Sequence, residues 1–204
     1  MTILHISDTH GLHNQLNDLP AADVIVHSGD FTLGGSEKEA IEFMQWFCDL
    51  PYKHKVFVAG NHDMCMYGAD KVEGLPDDVH YLCNSGIDIG GIKFYGMPMF
   101  MEYAMDGTYE QHIKDIPGDT DVLVTHQPPY GILDDGEYKG QTNYHYGDYF
   151  LYTRVIDVKP KLHLFGHDHN AYGSIEKFGT VFSNAAVVDE HYKLKKINYL
   201  TYKI

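Results

Sequence analysis

Short apolar runs that end in a polar turn recur along this chain. Residues 2–6, 24–28, 55–59, 122–125 and 162–165 are rich in Val, Ile, Leu and Phe, and each leads directly into a turn carrying Asp, His or Gly. Runs of that length and composition predict buried strands rather than helices. Between the first three lie segments with helical character. One is expected over residues 12–19, ended by Pro20. The other opens at Ser36 with Glu39 three positions on, the spacing of a capping box, and carries Ile41, Met44, Trp46, Phe47 and Leu50 as its apolar stripe up to Pro51. Alternating strands and helices, with strands apolar along their whole length, predict a parallel sheet covered on both faces.

From residue 79 the pattern changes. Residues 79–82, 87–89 and 92–95 read as short strands, and Gly90-Gly91 suggests a hairpin turn. Residues 97–112 are rich in Met and aromatics without a clear period and predict a loop that packs down or covers something. Residues 130–148 predict a second loop, rich in Gly and Tyr. A helix is expected over 149–158, ended by Pro160, and strands around 172–175, 181–183 and 199–204. No repeat, linker or low-complexity tract is visible, and residues 1–204 are expected to form a single α/β domain.

Charge and composition narrow the partners. The formal net charge is −14, and Arg154 is the only arginine. A surface that tracks long nucleic acid is therefore not expected. Bidentate guanidinium clamping of phosphate can come from one residue at most, which leaves metal ions as the obvious electrophiles. No run approaches the roughly 20 apolar residues of a membrane span, and the N-terminus lacks the basic start of a secretory signal. Cys48, Cys65 and Cys83 form no C-x-x-C pair and leave an odd count, which fits free thiols in a reducing compartment. The expectation is a cytoplasmic protein.

The candidate chemistry sits where the strands end. In an open parallel sheet, sites form where loops leave the carboxyl ends of strands. The strand-end turns here are Ser7-Asp8-Thr9-His10-Gly11, Ser28-Gly29-Asp30, Gly60-Asn61-His62-Asp63, Thr125-His126-Gln127 and Gly166-His167-Asp168-His169. Pooled, they offer Asp8, His10, Asp30, Asn61, His126, His167 and His169. That is three or four ligands for each of two divalent ions if one carboxylate is shared. Two such ions about 3.5–4 Å apart can activate a bridging water and polarise a phosphoryl oxygen.

The order of these blocks resembles the calcineurin-like metallophosphoesterase superfamily. The runs Thr125-His126-Gln127-Pro128-Pro129-Tyr130-Gly131 and Pro160 through His167 further resemble its small metallophosphoesterase-domain branch. The resemblance implies a metallophosphoesterase-type four-layer sandwich, two mixed β-sheets flanked by helices. It implies that Asp8, His10 and His169 bind one metal, that Asn61, His126 and His167 bind the other, and that Asp30 bridges them. It further implies that a metal-bridging hydroxide attacks phosphorus, that His62 assists the leaving group, and that Asp63 orients His62. Small phosphodiesters or nucleotides, cyclic nucleotides among them, are the implied substrates. Mn²⁺ is the leading metal, with Fe, Zn²⁺ or Ni²⁺ as alternatives. A phosphomonoesterase, including a protein phosphatase, is the second reading, and a non-catalytic scaffold the third. One departure is Met64, where many family members carry Arg.

Other residues are weighed differently. His5, His27 and His163 lie within strands and are expected in the core. His54, His80, His112 and His191 are expected at the surface, and His13 is not expected to reach the site. Tyr130, Tyr144, Tyr146 and Tyr149, with His145, could stack a nucleobase, pack on the core or meet a second subunit in a homo-oligomer. Phe100, Tyr103 and Tyr109 carry the same alternatives.

Overall fold

Two mixed sheets lie face to face, with helices on their outer surfaces. The computed structural model describes residues 1–138 and 141–204. In chain order its elements are β1 (Thr2–Ile6), β2 (Val24–His27), α1 (Glu37–Asp49), β3 (His54–Phe57), β4 (Val79–Tyr81), β5 (Ser85–Ile89), β6 (Ile92–Met97), α2 (Met101–Asp106), α3 (Tyr109–Asp115), β7 (Val122–Thr125), β8 (Asp135–Tyr138), β9 (Gln141–His145), α4 (Tyr149–Val158), β10 (Leu162–Phe165), β11 (Gly173–Lys177), β12 (Thr180–Asn184) and β13 (Leu200–Lys203). The first sheet runs β13-β1-β2-β3-β4, parallel except for β13. The second runs β11-β12-β10-β7-β6-β5, with a parallel centre and antiparallel edges β11 and β5.

Strand alternation produces the layers. Successive residues of a strand face opposite sides, so each sheet feeds two cores. Leu4, Ile6, Ile25 and Phe57 turn outward to meet Phe43 and Phe47 of α1. Ile3, Val24, Val26 and Val56 turn inward against Phe94, Val122, Val124, Leu162 and Leu164 of the second sheet. On the far side, Tyr95, Leu123, Phe165 and Phe182 meet Ile113 of α3 and Leu151 and Val155 of α4. Three cores separate four layers, as the family resemblance implies.

Local signals account for the regular elements. The capping box of α1 is complete: Glu39 N–H donates to the Ser36 hydroxyl, and the Ser36 N–H donates to the Glu39 carboxylate. Gly90 and Gly91 both take positive φ between β5 and β6, as a tight hairpin with the strand's own twist requires.

Four expectations are corrected. Residues 12–19 form only a 3₁₀ turn over His13–Gln15. No side chain caps the segment, Asp18 turns to φ 54°, and so short a stretch gains too few hydrogen bonds to offset nucleation. Leu12, Leu16 and Leu19 still pack on the outer core. The buried face of α1 is Ala40, Phe43 and Phe47, leaving Ile41 54 % exposed. Phe43 stacks on Phe31 at 4.3 Å, and that contact sets the helix's rotation. Residues 97–112 hold α2 and the start of α3, two helices too short to show a period, broken by Gly107 at φ 80°. Residues 130–148 contain the β8–β9 hairpin; residues 139 and 140 of that segment lie outside the described residues.

The carboxyl ends of β1, β2, β3, β7 and β10 converge at one end of the sandwich. Ser7 ties the sheets together there. Its N–H donates to the Ala185 carbonyl and its carbonyl accepts from Val187 N–H, which gives the site a hydrogen-bonded floor. Among the described residues, no helix is long and apolar enough to cross a membrane.

Candidate metal centre

The backbone bends sharply to aim the site's side chains. Asp8 (φ 55°), His10 (φ 42°), Asp30 (φ 57°) and His167 (φ 71°) all take the left-handed region. Residues with a Cβ adopt it at a cost of order 1–2 kcal/mol each, a strain that clusters at functional sites. Two glycines let the turns close on the carboxylates. A Cβ at Gly60 would run into Asp30 Oδ1, and one at Gly166 into Asp8 Oδ2.

Seven side chains from these turns come together as two clusters sharing Asp30. In the first, His169 Nε2 is 3.3 Å from Asp8 Oδ1 and 3.2 Å from His10 Nε2. In the second, His126 Nε2 is 3.2 Å from Asp30 Oδ2, and His167 Nδ1 is 3.0 Å from Asn61 Oδ1. Asp8, His10 and His169 form one group of potential metal ligands, and Asp30, His126 and His167 form another. Asp30 Oδ2 also lies 3.7 Å from His10 Nε2, between the two groups.

The hydrogen-bond network assigns the imidazole tautomers. Nδ1 of His10 faces the Thr32 carbonyl at 3.0 Å, that of His126 the Ser28 carbonyl at 2.9 Å, and that of His169 the Asp189 carbonyl at 3.0 Å. Each Nδ1–H therefore donates to main chain and leaves a lone pair on Nε2, the usual way a protein presents an imidazole to a metal. His126 Nε2 is buried and makes no aligned hydrogen bond despite its closeness to Asp30. Two lone pairs 3.2 Å apart, on His10 and His169, repel unless a cation lies between them. The residues present fit a divalent metal.

Electrostatics points the same way. Burial opposes ionisation of Asp8, yet His169 and the neighbouring His126 and His10 hold its carboxyl well below the usual range. Burial likewise opposes ionisation of Asp30, and His126 outweighs it. Burial lowers His126, but the charges of Asp30 and Asp8 push it up to about 9, so that a proton on Nε2 stands where a bound cation would replace it; burial takes His167 down to about 4. Among the described residues, no Lys or Arg is seen to hydrogen-bond either carboxylate. Arg154 donates to the Ile116 carbonyl, Lys195 is spent on the carbonyls of His169 and Ala186, and Met64 is 59 % exposed. Two buried carboxylates with no Lys or Arg bonded to them among the described residues call for further positive charge.

Asp63 binds main chain and the Thr32 hydroxyl. Its buried carboxylate accepts from the N–H groups of Asp30, Phe31, Thr32 and Gly60 and from the Thr32 hydroxyl. It clamps the Asp30 turn to the Asn61-His62 turn. Burial and the Asp30 charge push it up to about 7 against those donors. The His62 ring is oriented by the Leu33 carbonyl, 2.8 Å from Nδ1.

The clusters open into a cleft of about 240 Å³, lined by Asn61, His62, Tyr146, Asp168, Glu190 and Tyr192 with neighbouring centre residues. Tyr146 is 6.3 Å from His167. Of the other aromatics, Phe100 and Tyr103 pack in the outer core, and the Tyr109 hydroxyl bonds Gln127. His13 is buried between Phe43 and Trp46, away from the clusters. His5, His27 and His163 are buried behind the centre on Ser183 and Ser28, Thr9, and Thr125. Sequence reasoning missed the turn bearing Asp189, Glu190 and Tyr192. Its run of Asp-Glu-His-Tyr follows no strand-end pattern that would have singled it out.

The donor set and its position define a metallohydrolase centre, and comparison with known proteins supplies the family. A family model described as calcineurin-like phosphoesterase matches residues 1–171. The chain belongs to that family, the metal-dependent hydrolases of phosphoester bonds. A UPF0046 protein of Caenorhabditis elegans is 36 % identical over 208 residues, 90 % of this chain and 74 % of that protein. Metallophosphoesterase domain-containing protein 1 of Homo sapiens is 31 % identical over 220 residues, 92 % of this chain and 66 % of the human one. A solved crystal structure that is 13 % identical, over 90 % of this chain and 89 % of its own, has a TM-score of 0.58 and shares the fold.

Proposed function

We propose that the chain is a dinuclear-metal phosphoesterase acting on small phosphodiesters, nucleotides among them. The observation that carries this reading is the position of Asp30 Oδ2, 3.2 Å from His126 Nε2 and 3.7 Å from His10 Nε2. Asp8, His10 and His169 would hold one ion, Asn61, His126 and His167 the other, with Asp30 shared. Bound there, two divalent ions supply an ionised water as nucleophile and positive charge for the phosphoryl oxygens. Imidazole, carboxylate and amide donors suit Mn²⁺, with Fe, Zn²⁺ and Ni²⁺ as alternatives.

The chain's own residues do the rest. Leu33 fixes Nδ1 of His62, so Nε2 is the nitrogen left to carry a proton to the departing oxygen. Asp63 holds Asp30 and His62 in register through the amides it binds. The cleft favours diesters by charge. Asp168 and Glu190 line it, with no Lys or Arg among its described lining residues, so beside the bound ions these carboxylates oppose a doubly charged monoester more than a singly charged diester.

The test uses chelator-stripped protein reloaded with Mn²⁺ and assayed on bis(p-nitrophenyl) phosphate and p-nitrophenyl phosphate. Metal-dependent turnover with the diester faster is expected. Faster monoester turnover would reverse the substrate preference. No turnover with two ions bound per chain would overturn the enzymatic reading.

A further inference from the structure

The turn after β12 lies beyond the family match, which ends at residue 171, yet it reaches into the centre. The Tyr192 ring meets His10 edge-on at 4.8 Å and His169 at 5.5 Å, and it lies 6.1 Å from His62. It is nonetheless 41 % exposed and lines the cleft. One part of the ring therefore covers the imidazoles while another faces whatever occupies the cleft.

The turn is built to hold this ring. Tyr192 sits at φ 57°, a conformation that bulky side chains rarely adopt. The Asp189 carboxylate accepts from the N–H groups of His191 and Lys193, both at 2.9 Å, and closes the turn. The Asp189 carbonyl accepts from Tyr192 N–H at 3.0 Å and from His169 Nδ1–H at 3.0 Å. One oxygen thus fixes both the tautomer of His169 and the place of Tyr192. The ring's position is set relative to the centre itself.

We propose that Tyr192 is the specificity-determining contact for the organic part of the ester: a planar aromatic group on the leaving side packs on its ring. The proposal rests on reading the cleft as a phosphoester site. Within that reading His62 serves the leaving oxygen, and Tyr192 is the cleft-lining tyrosine in ring contact with His62, whereas Tyr146 stands 6.3 Å from His167. Ring-on-ring packing of this kind strengthens binding about ten-fold where a single aromatic provides it.

The experiment compares phenylphosphonate with methylphosphonate, which share a head group and differ in the ring. Binding to the Mn²⁺-loaded full chain is read by calorimetry. Phenylphosphonate is expected to bind about ten-fold more tightly. Tyr192→Ala should abolish that preference while methylphosphonate affinity and bound Mn²⁺ stay as in wild type, and Tyr192→Phe should restore it. Tyr192→Asn, suited to the left-handed backbone, guards against a collapsed turn and should behave as Tyr192→Ala. With bis(p-nitrophenyl) phosphate, Tyr192→Ala should raise KM about ten-fold with kcat within about two-fold. Absence of a ring preference in wild type, its survival in Tyr192→Ala, or equal weakening of both phosphonates would overturn the proposal. Because binding is read without turnover, a wild type that prefers phenylphosphonate but hydrolyses no ester refutes the phosphoesterase reading and leaves the aromatic contact standing.

Discussion

The centre and its rim are built by different means. At the centre main chain anchors three imidazoles and one carboxylate: carbonyls of Ser28, Thr32 and Asp189 on His126, His10 and His169, amides of residues 30–32 and 60 on Asp63. These partners are buried and interlocked, and a change at one moves the others. The rim is made of Tyr146, Glu190 and Tyr192, partly exposed and carried on the end of a hairpin and on a turn. Main-chain anchoring preserves the chemistry, while exposed side chains leave substrate choice free to vary.

The largest effect should come from breaking the centre at its shared ligand. Asp30→Ala is expected to lose bound metal and more than about a thousand-fold in kcat/KM; elemental analysis beside the diester assay measures both. Full metal content in that variant would sink the shared-ligand role. His62→Ala probes chemistry without ligation. It should keep both ions and lose about 10²–10⁴ in kcat, and undiminished turnover in the metal-loaded variant would refute its part in leaving-group departure.

The histidines behind the centre give a milder, pH-dependent effect. Burial pushes His5, His27 and His163 each from an ordinary 6.5 down to about 3. The unfolded chain therefore binds protons that the folded one refuses. Stability from these groups is complete above pH ~6.5 and lost as pH falls toward ~3, by up to about 4 kcal/mol at pH 5.5 for three histidines. Urea midpoints at pH 7.5 and 5.5 measure the loss, and equal midpoints would show that the three are not buried neutral. The smallest effect is at the rim. Glu190→Gln should raise kcat/KM for p-nitrophenyl phosphate about three-fold and leave the diester within about two-fold, since an exposed carboxylate acts through screening solvent. Parallel changes on both substrates would remove Glu190 from charge selection.

Much of the fold was legible because its signals are local. The capping box at Ser36, the Gly90-Gly91 turn and the apolar runs of β1, β2, β3, β7 and β10 each depend on residues a few positions apart. α2, α3 and the β8–β9 hairpin escaped because elements of four to seven residues show no period. The rotation of α1 escaped because Phe31, outside the helix, decides it.

The sequence by itself determined the strand ends, the seven Asp, His and Asn side chains placed there, and the family to which they belong. A donor residue next to a strand-ending turn is a short-range fact. Only the tertiary structure decided that Asp63 binds amides rather than the His62 ring, and that Tyr192 reaches the imidazoles. Those contacts join segments that follow different strands, and no local pattern encodes a distance between chain segments that only packing brings together.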